Sequence, residues 1–284
     1  MTSGADPARA TASLRVVVVY PDLLGTYGDG GNGMVLARRA AWRGIPVELL
    51  HALSDEPLPT GHLYCLGGGE DGPQVRAATL LAEDGGLARA VAGGAAVLGV
   101  CAGFQVLGHT YPDAHGRPLP GLALLDVETR RSRRGRAVGE VVAEPAPGAP
   151  RLPRALGGGG LPTLTGFENH AGVTTLGTGA RPLGRVSLGV GNGGGDGTEG
   201  AWQGTVVGSY LHGPLLARNT DLADVLLGWA LSAAVADGCV ADGCVGDLRP
   251  LDDEEEADLR AERLRAAGHL ARRPDRWVRR VLGR

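Results

Sequence analysis

The chain has no lysine: each of its 28 basic side chains is an arginine. A phosphate-binding loop of the form Gly-x-x-x-x-Gly-Lys-Ser/Thr is therefore excluded, and with it that route to ATP use within this sequence. Cysteine is scarce. Cys65, Cys101, Cys239 and Cys244 are too few and too scattered over 284 residues for a disulfide framework, so each needs its own explanation. Long apolar runs are also missing. Met1 to Ser13 is small and polar, and the run Leu14 to Tyr20 is far too short to span a bilayer, so no transmembrane segment and a cytoplasmic location are expected. A net charge of −3 leaves no basic field for nucleic acid or an anionic membrane surface. What is present, 43% hydrophobic and 21% charged residues, suffices for one large or two modest domains with a real core.

Leu14-Arg-Val-Val-Val-Val-Tyr20 is β-branched and apolar on both faces, as an interior strand of a covered sheet requires. A glycine-rich stretch, Thr26 to Asn32, leads into a helical pattern over Met34 to Arg43 that Gly44 and Pro46 stop. Short strands follow at 46–50 and 62–66, helix with a glycine break over 74–92, a buried strand at 95–100, and a helix from Cys101 to about His109. Strands alternating with helices imply α/β architecture with a mostly parallel sheet. The second half changes character, with short strands expected at 122–129, 137–143, 186–190 and 205–211, and a helix over 219–235 capped by Asn219 or Thr220. The stretches 145–160 and 191–197 read as surface loops. The expected organisation is a disordered extension over 1–13, a domain over 14–235, a linker over 236–250 and a charged helix over 251–284. Within the linker Val235-Ala-Asp-Gly-Cys239 is repeated at once as Val240-Ala-Asp-Gly-Cys244. Two cysteines five apart with no histidine nearby supply too few ligands for a metal, and none is expected.

The segment carrying most chemistry is Gly99-Val-Cys101-Ala-Gly103, at the junction of a buried strand and a helix. Small residues two before and two after the cysteine permit a nucleophile elbow, which lifts the thiol above the sheet edge at the start of a helix. Attack on an amide generates an oxyanion. The backbone N–H groups of Gly68 and Gly69, in the tri-glycine after the strand ending at Leu66, joined by that of Ala102, are candidate donors for it. The base must come from seven histidines. His212 closes the strand Val206 to His212 just before Gly213-Pro214, on the sheet edge where Cys101 should lie. His170 is the rival, and His62, within a strand, is expected to be structural.

The segments Gly99-Val-Cys-Ala-Gly-Phe-Gln-Val-Leu-Gly108 and Gly208-Ser-Tyr-Leu-His-Gly-Pro214 resemble those of class I, triad-type, glutamine amidotransferases in the cobyric acid synthase branch. Further motifs in order, Tyr27-Gly-Asp-Gly-Gly-Asn32, Gly67-Gly-Gly-Glu-Asp71, Gly166-Phe-Glu-Asn-His170 and Tyr210 to Pro214 with Asn219, resemble the GatD-type glutaminase subunits of lipid II isoglutaminyl synthases. The resemblance covers Leu14 to about Trp229. It implies a three-layer, flavodoxin-like class I amidotransferase fold with extra β strands in the second half. It also implies that Cys101 is the nucleophile, that His212 is its base, and that Arg136, in Arg136-Ala-Val-Gly139, binds the glutamine carboxylate; Arg130, Arg131, Arg133 and Arg134 crowd that assignment. The implied partner is a Mur-ligase-like synthetase subunit, MurT, in a heterodimer. No cofactor is expected in this chain, with ATP and Mg expected in the partner. Many class I enzymes carry a glutamate two residues after the histidine, where this chain has Pro214, so the third catalytic group is expected from the partner's side. The alternatives are an amidotransferase for cobyrinic acid-type amidation, a non-catalytic regulatory subunit, and a cysteine peptidase on a similar sheet.

Overall fold

A computed structural model describes residues 13–241 and 248–268. Its centre is a six-stranded sheet built from β1 (Leu14–Val19), β2 (Val47–Ala52), β3 (Leu63–Leu66), β4 (Ala96–Val100), β13 (Ala201–Gln203) and β14 (Val206–Ser209), in the order β13-β14-β4-β3-β1-β2. Every neighbouring pair is parallel except the edge pair β13–β14. The two-residue strand period explains why both faces are covered. Leu14 and Val16 pack with α1 (Gly31–Trp42), α5 (Leu215–Arg218) and α6 (Thr220–Ala236). Val17 and Val19 point the other way, into the core under α2 (Asp71–Asp84), α3 (Gly86–Ala92) and α4 (Ala102–Leu107).

The second half supplies two antiparallel-rich sheets. One orders β10 (Gly172–Leu176), β7 (Val127–Arg131), β5 (Thr110–Pro112) and β6 (Pro118–Pro120); the other orders β12 (Thr198–Glu199), β11 (Gly184–Leu188), β8 (Ala137–Pro145) and β9 (Leu164–His170). The strand expected at 122–129 begins later, at Val127, because Leu122, Leu124 and Leu125 instead donate backbone bonds to the end of α4. Strands β9 and β10 were not anticipated: Gly166 and Gly172 hide them, yet both glycines are required by packing. A methyl on Gly166 would sit 2.6 Å from Leu211 Cβ, and one on Gly172 would sit 2.5 Å from the Tyr210 hydroxyl.

The C-terminal arm is clamped to the domain by charge. Arg39 on α1 is 2% exposed and pairs with Asp224 on α6 at 2.8 Å and with Asp253 at 2.6 Å, while Arg43 reaches Asp224 at 2.7 Å. Two arginine forks thus neutralise one buried carboxylate and anchor the entry to α7 (Glu254–Ala266), which has no buried residue of its own. The segment expected to be a linker packs at both described ends, with Val240 and Leu248 in the main core. The first copy of the pentapeptide closes α6; Cys244 and most of the second copy, like residues 1–12 and 269–284, lie outside the described residues. Among the described residues no helix is long and apolar enough to cross a membrane, and no cluster of three metal-ligating side chains occurs.

Candidate active site

The loops that follow β1, β3, β4 and β14 meet at the carboxyl edge of the parallel sheet, where the strand order reverses between β1 and β3. Cys101 is the single residue between β4 and α4, with φ 51° and ψ −103°, a conformation that a non-glycine residue adopts only under constraint. Its flanking glycines make the constraint possible. A methyl on Gly103 would lie 2.5 Å from the Leu66 carbonyl oxygen, and one on Gly99 would lie 2.8 Å from the backbone of Gly103. The Cys101 N–H donates to the Ser209 carbonyl at 2.9 Å and the Gly103 N–H to that of Gly67 at 3.0 Å, so the elbow is held by β14 on one side and the tri-glycine loop on the other.

His212 follows β14 and is 1% exposed. Its backbone leaves the central sheet and pairs with Phe167 of β9, donating at 2.8 Å and accepting at 3.2 Å. The imidazole Nδ1 lies 2.8 Å from Oδ2 of Asp29, itself 1% exposed. A carboxylate can only accept here, so Nδ1 carries the proton and Nε2 is left toward Cys101 with no nitrogen or oxygen partner. Burial opposes a charged ring, but the hydrogen bonds and charges of Asp29 and Cys101 outweigh it and push His212 up to about 9.

The sequence shows no obvious third member, and the structure sets a carboxylate of this same chain, Asp29, against the His212 ring. It comes from the glycine-rich loop after β1, 183 residues before His212. Neighbouring residues fix it there. Asn32 donates its side-chain amide to the Asp29 carbonyl at 3.0 Å, and its side-chain oxygen accepts the Leu216 N–H at 2.9 Å, tying the loop to the segment after His212. Pro214, standing where many class I enzymes have glutamate, packs on the start of α1: a methyl on Gly31 would lie 2.6 Å from its ring. The signal for Asp29 was its position, an acid in a loop directly after an interior parallel strand, but nothing local distinguished it from turn chemistry.

The other candidates divide. The Gly68 N–H donates to Asp29 Oδ2 at 2.9 Å, so it braces the carboxylate and is not free for an oxyanion, correcting its expected use. Gly69 lies near Ala102, the residue after Cys101: a methyl on it would lie 3.8 Å from the Ala102 side chain. Arg136 sits exposed at the rim just before β8, its guanidinium on the side-chain oxygen of Asn169; the Asn169 amide donates to the Tyr27 hydroxyl, and the Tyr27 ring stands edge-on to His212 at 5.0 Å. Of the arginine cluster, Arg131 bonds the Ala114 carbonyl instead.

His170, the rival base, engages Gly172 O at 3.0 Å and Glu168 at 3.4 Å and stacks on Tyr210 at 3.7 Å, which makes it a packed structural residue. His62 is likewise structural, accepting the Arg15 N–H at 2.9 Å. Burial pushes the Cys65 thiol up to about 12, leaving it inert.

The fold is α/β with a mostly parallel central sheet, additional strands and a thiol on a strand-to-helix elbow, the plan expected of a class I glutamine amidotransferase. Residues 15–220 match the CobB/CobQ-like glutamine amidotransferase domain, and the chain belongs to that family and is a glutamine amidotransferase. Among curated relatives it is 34% identical over 209 residues to the lipid II isoglutaminyl synthase (glutamine-hydrolyzing) subunit GatD of Staphylococcus aureus (strain N315), covering 72% of this chain and 79% of the relative. It is 32% identical over 221 residues to the subunit of the same name from Streptococcus pneumoniae (strain ATCC BAA-255 / R6), covering 77% and 80%. The cobyric acid synthase of Pelotomaculum thermopropionicum is 42% identical over 155 residues, but these cover 50% of this chain and only 27% of that protein.

Proposed function

We propose that the chain is the glutaminase half of a two-subunit synthetase that amidates the D-glutamate of lipid II, with Cys101, His212 and Asp29 as the catalytic residues. The observation that carries the proposal is the buried Asp29–His212 hydrogen bond, which turns the unpaired Nε2 toward the elbow cysteine. The Cys101 thiolate attacks the side-chain amide carbon of L-glutamine, and the resulting oxyanion is held by the N–H groups of Gly69 and Ala102. The protonated His212 gives its Nε2 proton to the leaving nitrogen, so ammonia departs and a glutamyl thioester remains. Neutral His212 then takes a proton from water, the hydroxide attacks the thioester, and glutamate leaves as the thiolate reforms. Asp29 keeps the ring in the required tautomer and stabilises its charge. Arg136 pairs with the α-carboxylate of glutamine in the two-pronged manner its planar fork allows.

Ammonia then passes to a Mur-ligase-like partner of the MurT type, which holds ATP and Mg and activates the acceptor carboxylate. The support for this acceptor is the name carried by two relatives that align over more than 70% of this chain. The test is glutamate release from L-glutamine by the purified chain, alone and with the co-expressed partner, in native and Cys101→Ala forms. Release that needs Cys101 and rises with the partner is expected. A folded native chain that releases no glutamate in either setting refutes the proposal.

A further inference from the structure

Between Ser209 and His212 the chain changes sheets. The Ser209 carbonyl is still paired with the central sheet, accepting the Cys101 N–H at 2.9 Å, whereas His212 is already paired with Phe167 of β9. Two residues, Tyr210 and Leu211, lie between these anchors, and neither N–H reaches a backbone carbonyl of either sheet. Their partners are side chains. The Tyr210 N–H donates to Oε1 of Glu199 at 3.0 Å, and the Leu211 N–H donates to the Ser209 hydroxyl at 3.0 Å. That hydroxyl, having accepted from Leu211, spends its own proton on the same Glu199 oxygen at 2.5 Å. One carboxyl oxygen therefore takes up both main-chain amides of the crossing, that of Tyr210 directly and that of Leu211 through the Ser209 hydroxyl, while the Tyr210 side chain is anchored separately on Thr174 and Gln105.

Glu199 is an unusual choice for that place. It is fully buried, no cation pairs with it among the described residues, its second oxygen has no partner, and a second buried carboxylate, Glu168, is near. Burial pushes its carboxyl up to about 7, against the hydrogen bonds from Ser209 and Tyr210, which pull the other way. The corner that delivers it is equally specific: Gly200 has φ +60°, and a methyl there would lie 2.6 Å from the Gly208 carbonyl oxygen. A buried acid without a counter-charge is costly to the fold, and such costs concentrate at sites where geometry serves chemistry.

We infer that Glu199 is a positioning residue for the amidotransferase reaction, holding the Ser209–His212 crossing so that the base meets the thiol of Cys101. It touches neither substrate nor reacting atoms. What it supplies is an acceptor oxygen at a fixed point, so an amide in its place works and an apolar group of similar size does not. The inference rests on the glutaminase proposal for its readout in glutamate release, and on the elbow geometry alone for a second readout.

The experiment compares Glu199→Gln, Glu199→Leu and Ser209→Ala in the full chain with its partner. Glutamate release is measured for kcat and KM, and Cys101 alkylation by iodoacetamide, which needs no glutamine, is followed in parallel. A misplacement of about 1 Å costs on the order of a hundredfold in rate, so Glu199→Leu is expected to lower kcat by about that factor with KM for glutamine nearly unchanged, and to slow alkylation. Ser209→Ala moves both in the same direction by less, and carries the test if the leucine variant does not fold. Glu199→Gln keeps kcat within about threefold, since it preserves the acceptor. A folded Glu199→Leu with native kcat and native alkylation overturns the inference, as does a glutamine variant as impaired as the leucine one. If the native chain releases no glutamate, the glutaminase proposal fails, while a difference in alkylation between the glutamine and leucine variants still upholds the positioning role.

Discussion

Replacing Asp29 by asparagine removes a charge and changes almost no volume. In the native chain His212 stands at about 9 against an ordinary value of 6.5. At about 1.4 kcal/mol per unit, that displacement favours the protonated ring by roughly 3.5 kcal/mol, shared between Asp29 and Cys101 against the opposing burial. Loss of half of it corresponds to more than about tenfold in rate, and an amide that turns its NH2 toward Nδ1 would also invert the tautomer, so kcat is expected to fall by on the order of 10- to 100-fold. The sign of the pH effect follows. A histidine raised by its partners contributes stability that is fully present below its unfolded value of about 6.5 and is lost as pH rises through about 9. The basic limb of the native kcat/KM profile, which reports the groups of the free enzyme, should lie near pH 9, and Asp29→Asn should move it toward neutrality. The assay is glutamate release between pH 5.5 and 10, beside thermal unfolding over the same range. A basic limb that does not move, with kcat within twofold of native, would refute the role given to Asp29.

Gly68→Ala places a methyl 2.8 Å from His212 Cε1 and 3.1 Å from Asp29 Oδ2, so it should leave the protein folded but lower kcat by about a hundredfold, read from steady-state kinetics beside circular dichroism. Arg136→Ala is expected to raise KM for glutamine at least tenfold with little change in kcat, and Arg136→Lys to rescue poorly because a point charge cannot grip both carboxylate oxygens. An unchanged KM would remove Arg136 from the substrate site. Arg39→Met leaves Asp224 with one arginine instead of two and frees Asp253, so a loss of about 3 kcal/mol or more in denaturant unfolding is expected, without loss of activity in the protein that remains folded.

The elbow was legible because its requirements are local. Gly99, Cys101 and Gly103 lie within five residues, and the same short-range sterics that force the turn also select the sequence. Alternating Val16 and Val17, covered from opposite faces, made the central strands equally readable. His212 could be placed because a histidine at the end of a parallel strand can reach only one edge of the sheet. Asp29 could not be recognised by such means. Its turn-forming neighbours give an acid in that loop an ordinary explanation, and only the order β4-β3-β1 brings it beside a residue 183 positions away. Gly68 shows the converse: its place after β3 was clear, but whether its N–H served an oxyanion or a carboxylate depended on what the neighbouring loop put opposite it. Glu199 is decided most completely by the tertiary structure. Nothing in Thr198-Glu-Gly200 marks a buried acid, and its task arises only because the chain crosses between two sheets and leaves two amides without a backbone partner. The sequence by itself determined the parallel sheet, the strained cysteine and the edge on which chemistry occurs, since these follow from side-chain period and local sterics. The carboxylates that orient the histidine and hold its approach were settled by long-range strand order, because hydrogen bonds between distant residues exist only once the sheets are assembled.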